Sequence, residues 1–180
     1  MENEEKFKRI LDNNEIVKAI IKPNKKIYIL KRFILVAFVG LFISLWLGAF
    51  SNVGSMYFNP GQMLLVGAVI YVIILILSSI FINKFYKNNF YCITSSRIII
   101  RGGLWGIDFK TISLVKVEAV DLKVSPLDKM ISDNIGTISI ANRTRQTENG
   151  MPNFSLQNIE NVDEIYKLIK YSIEDLKGKN

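Results

Sequence analysis

Charged residues bracket the most apolar stretch of this chain and are absent inside it. Residues 33–83 contain no Asp, Glu, Lys or Arg. Two apolar runs, 33–50 and 63–82, each come close to the roughly 20 residues that a helix needs to cross the hydrocarbon core of a bilayer. Between them, Ser51-Asn52-Val53-Gly54 and Asn59-Pro60-Gly61 carry turn chemistry. The pattern predicts a transmembrane α-helical hairpin over 33–83. A secretory signal cleaved near Gly48-Ala49-Phe50-Ser51 fits worse, because the leader before it is too long and a second apolar run follows.

After residue 88 the periodicity changes to short, β-branched runs. They fall at 90–94, 97–101, 107–114, 115–124, 137–141 and 154–157. Ser95-Ser96, Gly102-Gly103, Ser125-Pro126, Asn134-Ile135-Gly136 and Glu148-Asn149-Gly150 separate them as turns, and 146–152 reads as the most flexible loop. Strands this close in sequence predict an antiparallel meander. The chain then ends in an amphipathic helix at 162–177, with Ile165, Leu168, Ile169, Ser172 and Leu176 on one face and Asn161 with Glu164 as a capping box. Upstream, residues 1–15 are polar and read as frayed, and Ile16-Val17-Lys18-Ala19-Ile20-Ile21 reads as a short strand stopped by Pro23. The domain expectation is a basic leader at 1–32, the hairpin at 33–83 and a mainly-β domain at 84–180.

Charge orients the hairpin. The net charge of +7 sits in the leader and in the C-terminal region, with none between. Lys25, Lys26, Lys31 and Arg32 precede the first run, and Lys84 and Lys87 follow the second. The positive-inside rule then predicts a multi-pass protein of the cell membrane with both termini cytoplasmic and the uncharged turn outside. Tyr28, Phe85, Tyr86 and Tyr91 fall where an inner aromatic belt belongs, and Tyr57 with Phe58 where an outer one does. Gly40, Ser44 and Gly48 recur every four residues, so they share one helix face that admits close packing, against Gly67 and Ala68 or against a second copy. Neither span carries an ionisable group, which argues against a pump or conducting pore.

The chemistry-bearing residues are few. There is no histidine and one cysteine, Cys92, so no metal, cofactor or catalytic constellation is expected and the reading is non-enzymatic. A lone cysteine accords with a reducing compartment. The basic excess is juxtamembrane, which gives no reason to expect nucleic acid. Arg97 and Arg101 alternate around Ile99 on one strand face, with Lys110 on the next strand. Such a face would hold anionic headgroups of the inner leaflet, and its plainer reading is a solvated surface. Leu104 and Trp105, between Gly103 and Gly106, form an apolar tip suited to the membrane interface or to folding back on the sheet.

The run Tyr91-Cys92-Ile93-Thr94-Ser95-Ser96-Arg97-Ile98-Ile99-Ile100-Arg101-Gly102-Gly103 resembles the Y-x-I-T-x-x-R opening of bacterial pleckstrin-homology-like (PH) domains that follow a pair of transmembrane helices. The likeness continues through Ile112-Ser113-Leu114-Val115-Lys116-Val117, through Ser125-Pro126-Leu127-Asp128 and through Gly136-Thr137-Ile138-Ser139-Ile140, and Ile20-Ile21-Lys22-Pro23 resembles the family's leader. It implies a partly open antiparallel β-barrel with one C-terminal capping helix. It also implies a binding or scaffold module working through protein or lipid-surface contacts, in settings such as envelope stress or bacteriocin self-immunity. The partner would be a membrane protein or a second copy. An accessory subunit of a membrane exporter is the alternative. The eukaryotic phosphoinositide site needs a basic loop where this chain has Thr94-Ser95-Ser96-Arg97, so that site is not carried over.

Overall fold

The computed structural model describes residues 5–50, 60–142 and 154–178. The turn at 51–59, with Tyr57 and Phe58, and the loop at 146–152 lie outside the described residues. The chain forms two compact units, one of residues 28–86 and one assembled from residues 1–27 together with 87–180.

The helical unit is built on α1 (Lys25–Phe50) and α2 (Pro60–Asn88). Both helices overrun their apolar runs, since charge marks the edge of the hydrocarbon layer rather than the end of a helix. At 26 and 29 residues each is about 40 Å long, more than a bilayer core needs. Their outer surfaces are apolar and bare, with Phe38 and Phe42 76% and 72% exposed and Leu65 66%. A core helix of a water-soluble protein would bury such residues, so the exposure points to lipid. Polar groups inside α2 turn back on their own backbone: Ser78 Oγ donates to Leu75 O and Asn83 Nδ2 to Ser79 O. Each of these side chains thereby finds an acceptor within its own helix.

Among the described residues the second unit holds seven strands in two antiparallel sheets. The first runs in the order β1 (Val17–Ile21), β2 (Phe90–Thr94), β3 (Arg97–Gly102) and β4 (Asp108–Ser113). The second is β5 (Val117–Lys123), β6 (Ile135–Asn142) and β7 (Phe154–Glu160). A 3-10 turn at Leu114–Lys116 ends β4 and breaks the meander into two sheets, where a single continuous one was expected. The helix α4 (Val162–Gly178) packs over β5, β6 and this turn. Between sheets and helix lies the main core, centred on Ile93, Ile98, Leu114, Ile138, Leu156 and Ile169, all fully buried. Burying side chains of this size stabilises by about 1.5–3 kcal/mol each.

β1 pairs with β2 in antiparallel register, Ile20 with Cys92 and Ile21 with Tyr91. The whole helical hairpin is therefore an insertion between two neighbouring strands of one sheet. Residues 5–21 of the leader complete the β-unit. Asn24 fastens its end: its N–H donates to Asn158 O at 2.7 Å and its Oδ1 accepts the Ile27 N–H at 3.1 Å, in the manner of an N-cap on α1.

The capping chemistry also differs from expectation at the C-terminal helix. Asn161 has φ +52° and its Oδ1 accepts from Asn134 Nδ2 at 2.7 Å, so it makes no box with Glu164. The capping box is at α3 (Pro126–Lys129), where Ser125 Oγ accepts the Asp128 N–H and the Asp128 carboxylate accepts the Ser125 N–H. Ser125-Pro126-Leu127-Asp128 carries that signature in sequence, with proline at the first helical position.

Candidate functional site

The first sheet has two covered faces. Alternation turns Tyr91, Ile93, Ile98 and Ile112 toward the main core. The other face presents Phe90, Cys92, Arg97, Ile99, Arg101 and Phe109. Expected to be a solvated or lipid-facing basic surface, it is instead roofed by residues 5–16. Phe7 is fully buried against Phe90, Cys92 and Ile99, with Ile10, Leu11, Val17, Ile20 and Phe109 around it. The Phe7 and Phe109 rings meet edge to face at 6.3 Å. Phe7, Ile10 and Leu11 stand three and four apart, a helical spacing that was the one available sequence signal for this roof.

Arg97 is the clasp of the roof. Its Nη2 lies 2.7 Å from Glu15 Oε2, its Nε donates to Glu15 Oε1 at 2.9 Å, and Nη2 also donates to Ile10 O at 2.6 Å. Thr94 and Ser96 hydroxyls donate to the same carboxylate at 2.6 and 2.9 Å. The Glu15 side chain is 3% exposed. Burial pushes its carboxyl up, but hydrogen bonds from Arg97, Thr94, Ser96 and the Asp12 N–H outweigh that and hold it at about 2, below the ordinary 4.5. Glu15 in turn raises the Arg97 guanidinium. Arg97 is thereby committed to the fold.

The remaining candidates divide. Arg101 is 8% exposed and lies opposite Phe90 on β2 and Phe109 on β4. Lys110 pairs with Ile100, so it points from the opposite face and does not join Arg97 and Arg101. Leu104 and Trp105 sit at the β3–β4 tip. Trp105 is 83% exposed and Ile107 52%, so the tip projects rather than folding back on the sheet. Its shape depends on Gly103, whose φ is +126° and where a Cβ would lie 2.3 Å from Gly106 O. Asn88 Nδ2 holds this turn through Gly103 O at 3.0 Å. Tyr91 does not join an aromatic belt: it is buried in the main core, where its hydroxyl donates to Gln157 O and accepts the Gln157 N–H, tying the two sheets together.

Within the hairpin, the small residues mark the helix contact. A Cβ on Gly48 would fall 2.6 Å from Met63 O, and one on Gly67 would fall 3.1 Å from Ser44 O. Gly40 faces Ile74 and Tyr71. Ala68 is exposed and takes no part. At the basic end, Arg32 stacks over Tyr28 and Phe85 at 4.5 and 5.3 Å, and Tyr28 meets Tyr86 at 5.5 Å. Lys25, Lys26, Lys84 and Lys87 surround this aromatic group in sequence, and Lys25 and Lys26 are exposed. Among the described residues no group of three or more His, Cys, Asp or Glu side chains gathers as a metal site would require.

A split antiparallel barrel, a single helix across it and an apolar helical pair inserted in its first sheet define a membrane-associated PH-like module. The model of the Bacterial PH domain family matches residues 30–173, and the chain belongs to that family. No curated protein matches it. The Y-x-I-T-x-x-R run that carried the likeness proves structural: Tyr91 joins the sheets, Thr94 accepts the Arg97 N–H in the β2–β3 turn, and Arg97 clasps the roof.

Proposed function

We propose that the chain is a multi-pass membrane anchor for a PH-like binding or scaffold module held at the cytoplasmic face. It acts there through contacts with a membrane protein partner or with the anionic lipid surface. The observation that carries this reading is the β1–β2 pairing. Strands that neighbour each other in one sheet lie before and after the hairpin, which supports an even number of crossings. The basic residues Lys25, Lys26, Lys31, Arg32, Lys84 and Lys87 then favour the cytoplasm for both flanks. The projecting Leu104–Trp105 tip belongs to the same turn that Asn88, the last residue of α2, secures. An exposed Trp at a glycine-flanked tip is the residue type that membrane interfaces favour. Roles in envelope stress or bacteriocin self-immunity are forms of this function.

The bare aromatic faces of α1, Phe38, Phe42 and Trp46, favour a second reading, an accessory subunit whose hairpin packs on a larger exporter. Capture of the 180-residue chain from a mild detergent extract separates the two. A second copy of the chain, or a non-transporter partner lost on W105A, supports the binding module. A stoichiometric transporter retained by W105A supports the accessory subunit and overturns the first reading.

A further inference from the structure

Among the described residues each sheet ends in two edge strands, β1 and β4 in the first and β5 and β7 in the second. A sheet edge recruits a further strand unless it is bulged or covered. Three of the four edges are managed in this way. β1 slips register between Val17 and Ala19, and the Asn24 N–H just beyond it donates to Asn158 O of β7 at 2.7 Å. β7 slips opposite Gly136 and Ile138 of β6, and its Asn158 turns to φ +58°. β5 slips between Val117 and Ala119, and Lys177 of α4 donates to Val117 O at 3.3 Å. Among the described residues β4 has neither device. It pairs with β3 in unbroken register, from Asp108 opposite Gly102 to Ser113 opposite Arg97. Asp108, Lys110 and Thr111 on it are exposed, as is Ile107 just before it.

The charges on β4 select what can join it. Asp108 and Lys110 stand two apart, so they share one strand face. Among the described residues neither meets an opposite charge. A lone lysine would guard the edge against any further strand. Beside Asp108 it discriminates instead. When two copies of β4 lie antiparallel about a two-fold axis, an axis at Asp108 or at Lys110 sets like charges opposite one another. An axis at Thr111 sets Lys110 opposite Ile112. An axis at Phe109 sets Asp108 of each copy opposite Lys110 of the other, twice, and Ile107 opposite Thr111. Opposite charges directly across a ladder stabilise it and like charges destabilise it. The edge is therefore self-complementary in that register, as a two-fold contact requires.

We propose that β4 is the contact edge of a homodimer, in which two copies join β4 to β4 antiparallel about a two-fold axis at Phe109. The first sheets of the two copies then run on into one another. Backbone hydrogen bonds along the edge supply the attraction, and the two Asp108–Lys110 pairs fix the register. This deepens the binding-module reading by naming the partner as a second copy, and it rests on that reading.

The test uses the 180-residue chain in membranes. D108C and K110C are made as separate variants with different tags, and native Cys92 is buried and does not compete. Residues directly opposite in an antiparallel ladder have Cα atoms about 4.5–5.5 Å apart, within disulfide reach, whereas diagonal neighbours are about 7–8 Å apart. Oxidation of the two variants together is expected to give a mixed disulfide dimer, and either variant alone to give little. In phosphatidylcholine vesicles, energy transfer between donor-tagged and acceptor-tagged copies reads the affinity. D108K replaces both pairs by Lys–Lys and is expected to raise the half-associating protein-to-lipid ratio about tenfold. D108K/K110D restores opposite charges and is expected to recover the wild-type value. Both side chains are exposed, and recovery in the double variant separates lost complementarity from lost folding. No excess of mixed over single-variant disulfide, or D108K associating like wild type, overturns the β4 contact. If a non-transporter partner lost on W105A is still captured in that case, only the contact fails. If the mixed disulfide forms but a stoichiometric transporter is retained by W105A, the contact holds and the binding-module reading fails.

Discussion

Glu15 and Arg97 stand 82 residues apart in sequence and meet at 2.7 Å. One comes from the N-terminal roof and the other from the Y-x-I-T-x-x-R turn, so the ion pair closes the β-unit across the inserted hairpin. Removing one partner leaves the other charge partly buried. E15Q is expected to cost about 2 kcal/mol, between an exposed pair and a fully buried one. Chemical denaturation of the detergent-solubilised chain measures it, and limited proteolysis at residues 5–16 should speed up in parallel.

The same pair sets an acid limit. A carboxyl held at about 2 when folded and 4.5 when free binds more protons unfolded, so it contributes stability fully above 4.5. That contribution fades as pH falls through 4.5 toward 2. Wild type should lose stability across this window, and E15Q should lose less. Equal slopes for the two proteins would show that Glu15 does not govern the acid limb.

At the β3–β4 tip, shape and exposure separate. G103A forces a side chain into φ +126° and onto Gly106 O, and is expected to destabilise by about 1–3 kcal/mol. W105A removes an 83% exposed ring and should leave the unfolding midpoint unchanged. With Trp46 replaced by Phe, the Trp105 emission should shift to the blue when the protein passes from detergent to a bilayer. An unshifted emission would place the tip in water.

Close approach of α1 and α2 makes Gly48 the sensitive point of the hairpin. G48A drives a Cβ to 2.6 Å from Met63 O and should cost about 1–3 kcal/mol, read as a lower SDS midpoint for hairpin dissociation. G67A, whose nearest atom is 3.1 Å away, should cost less. A68L, on an exposed face, should change nothing.

The elements set by local periodicity were legible in the sequence. β2 has the expected bounds, and α4 and β3 run one residue past theirs, because β-branched alternation and an amphipathic stripe are read within a dozen residues. What was missed depends on contacts across the hairpin. Nothing local to Arg97 indicates that Glu15 and Ile10 O will neutralise it, so it looked like a surface cation. Lys110 looked like its companion because register, which sets it opposite Ile100, is fixed only once β3 and β4 pair. Phe7, Ile10 and Leu11 are too few to signal a core by themselves, and their burial exists only because β1 is drawn into a sheet with β2. Arg101 was named as a binding residue on charge alone. Its burial beside Phe90 and Phe109 required the fold.

The central claim is that a β-unit assembled from both sides of a membrane hairpin sits in the cytoplasm. Impermeant thiol labelling in intact cells tests it most directly. Ser55→Cys falls between the two apolar runs in sequence, Ser96→Cys occupies an exposed position in the β2–β3 turn, and the native Cys92 is buried and silent until denaturation. The account predicts labelling of the Ser55 variant in intact cells and of the Ser96 variant only after permeabilisation. Labelling of the Ser96 variant in intact cells, with the Ser55 variant protected, would contradict it.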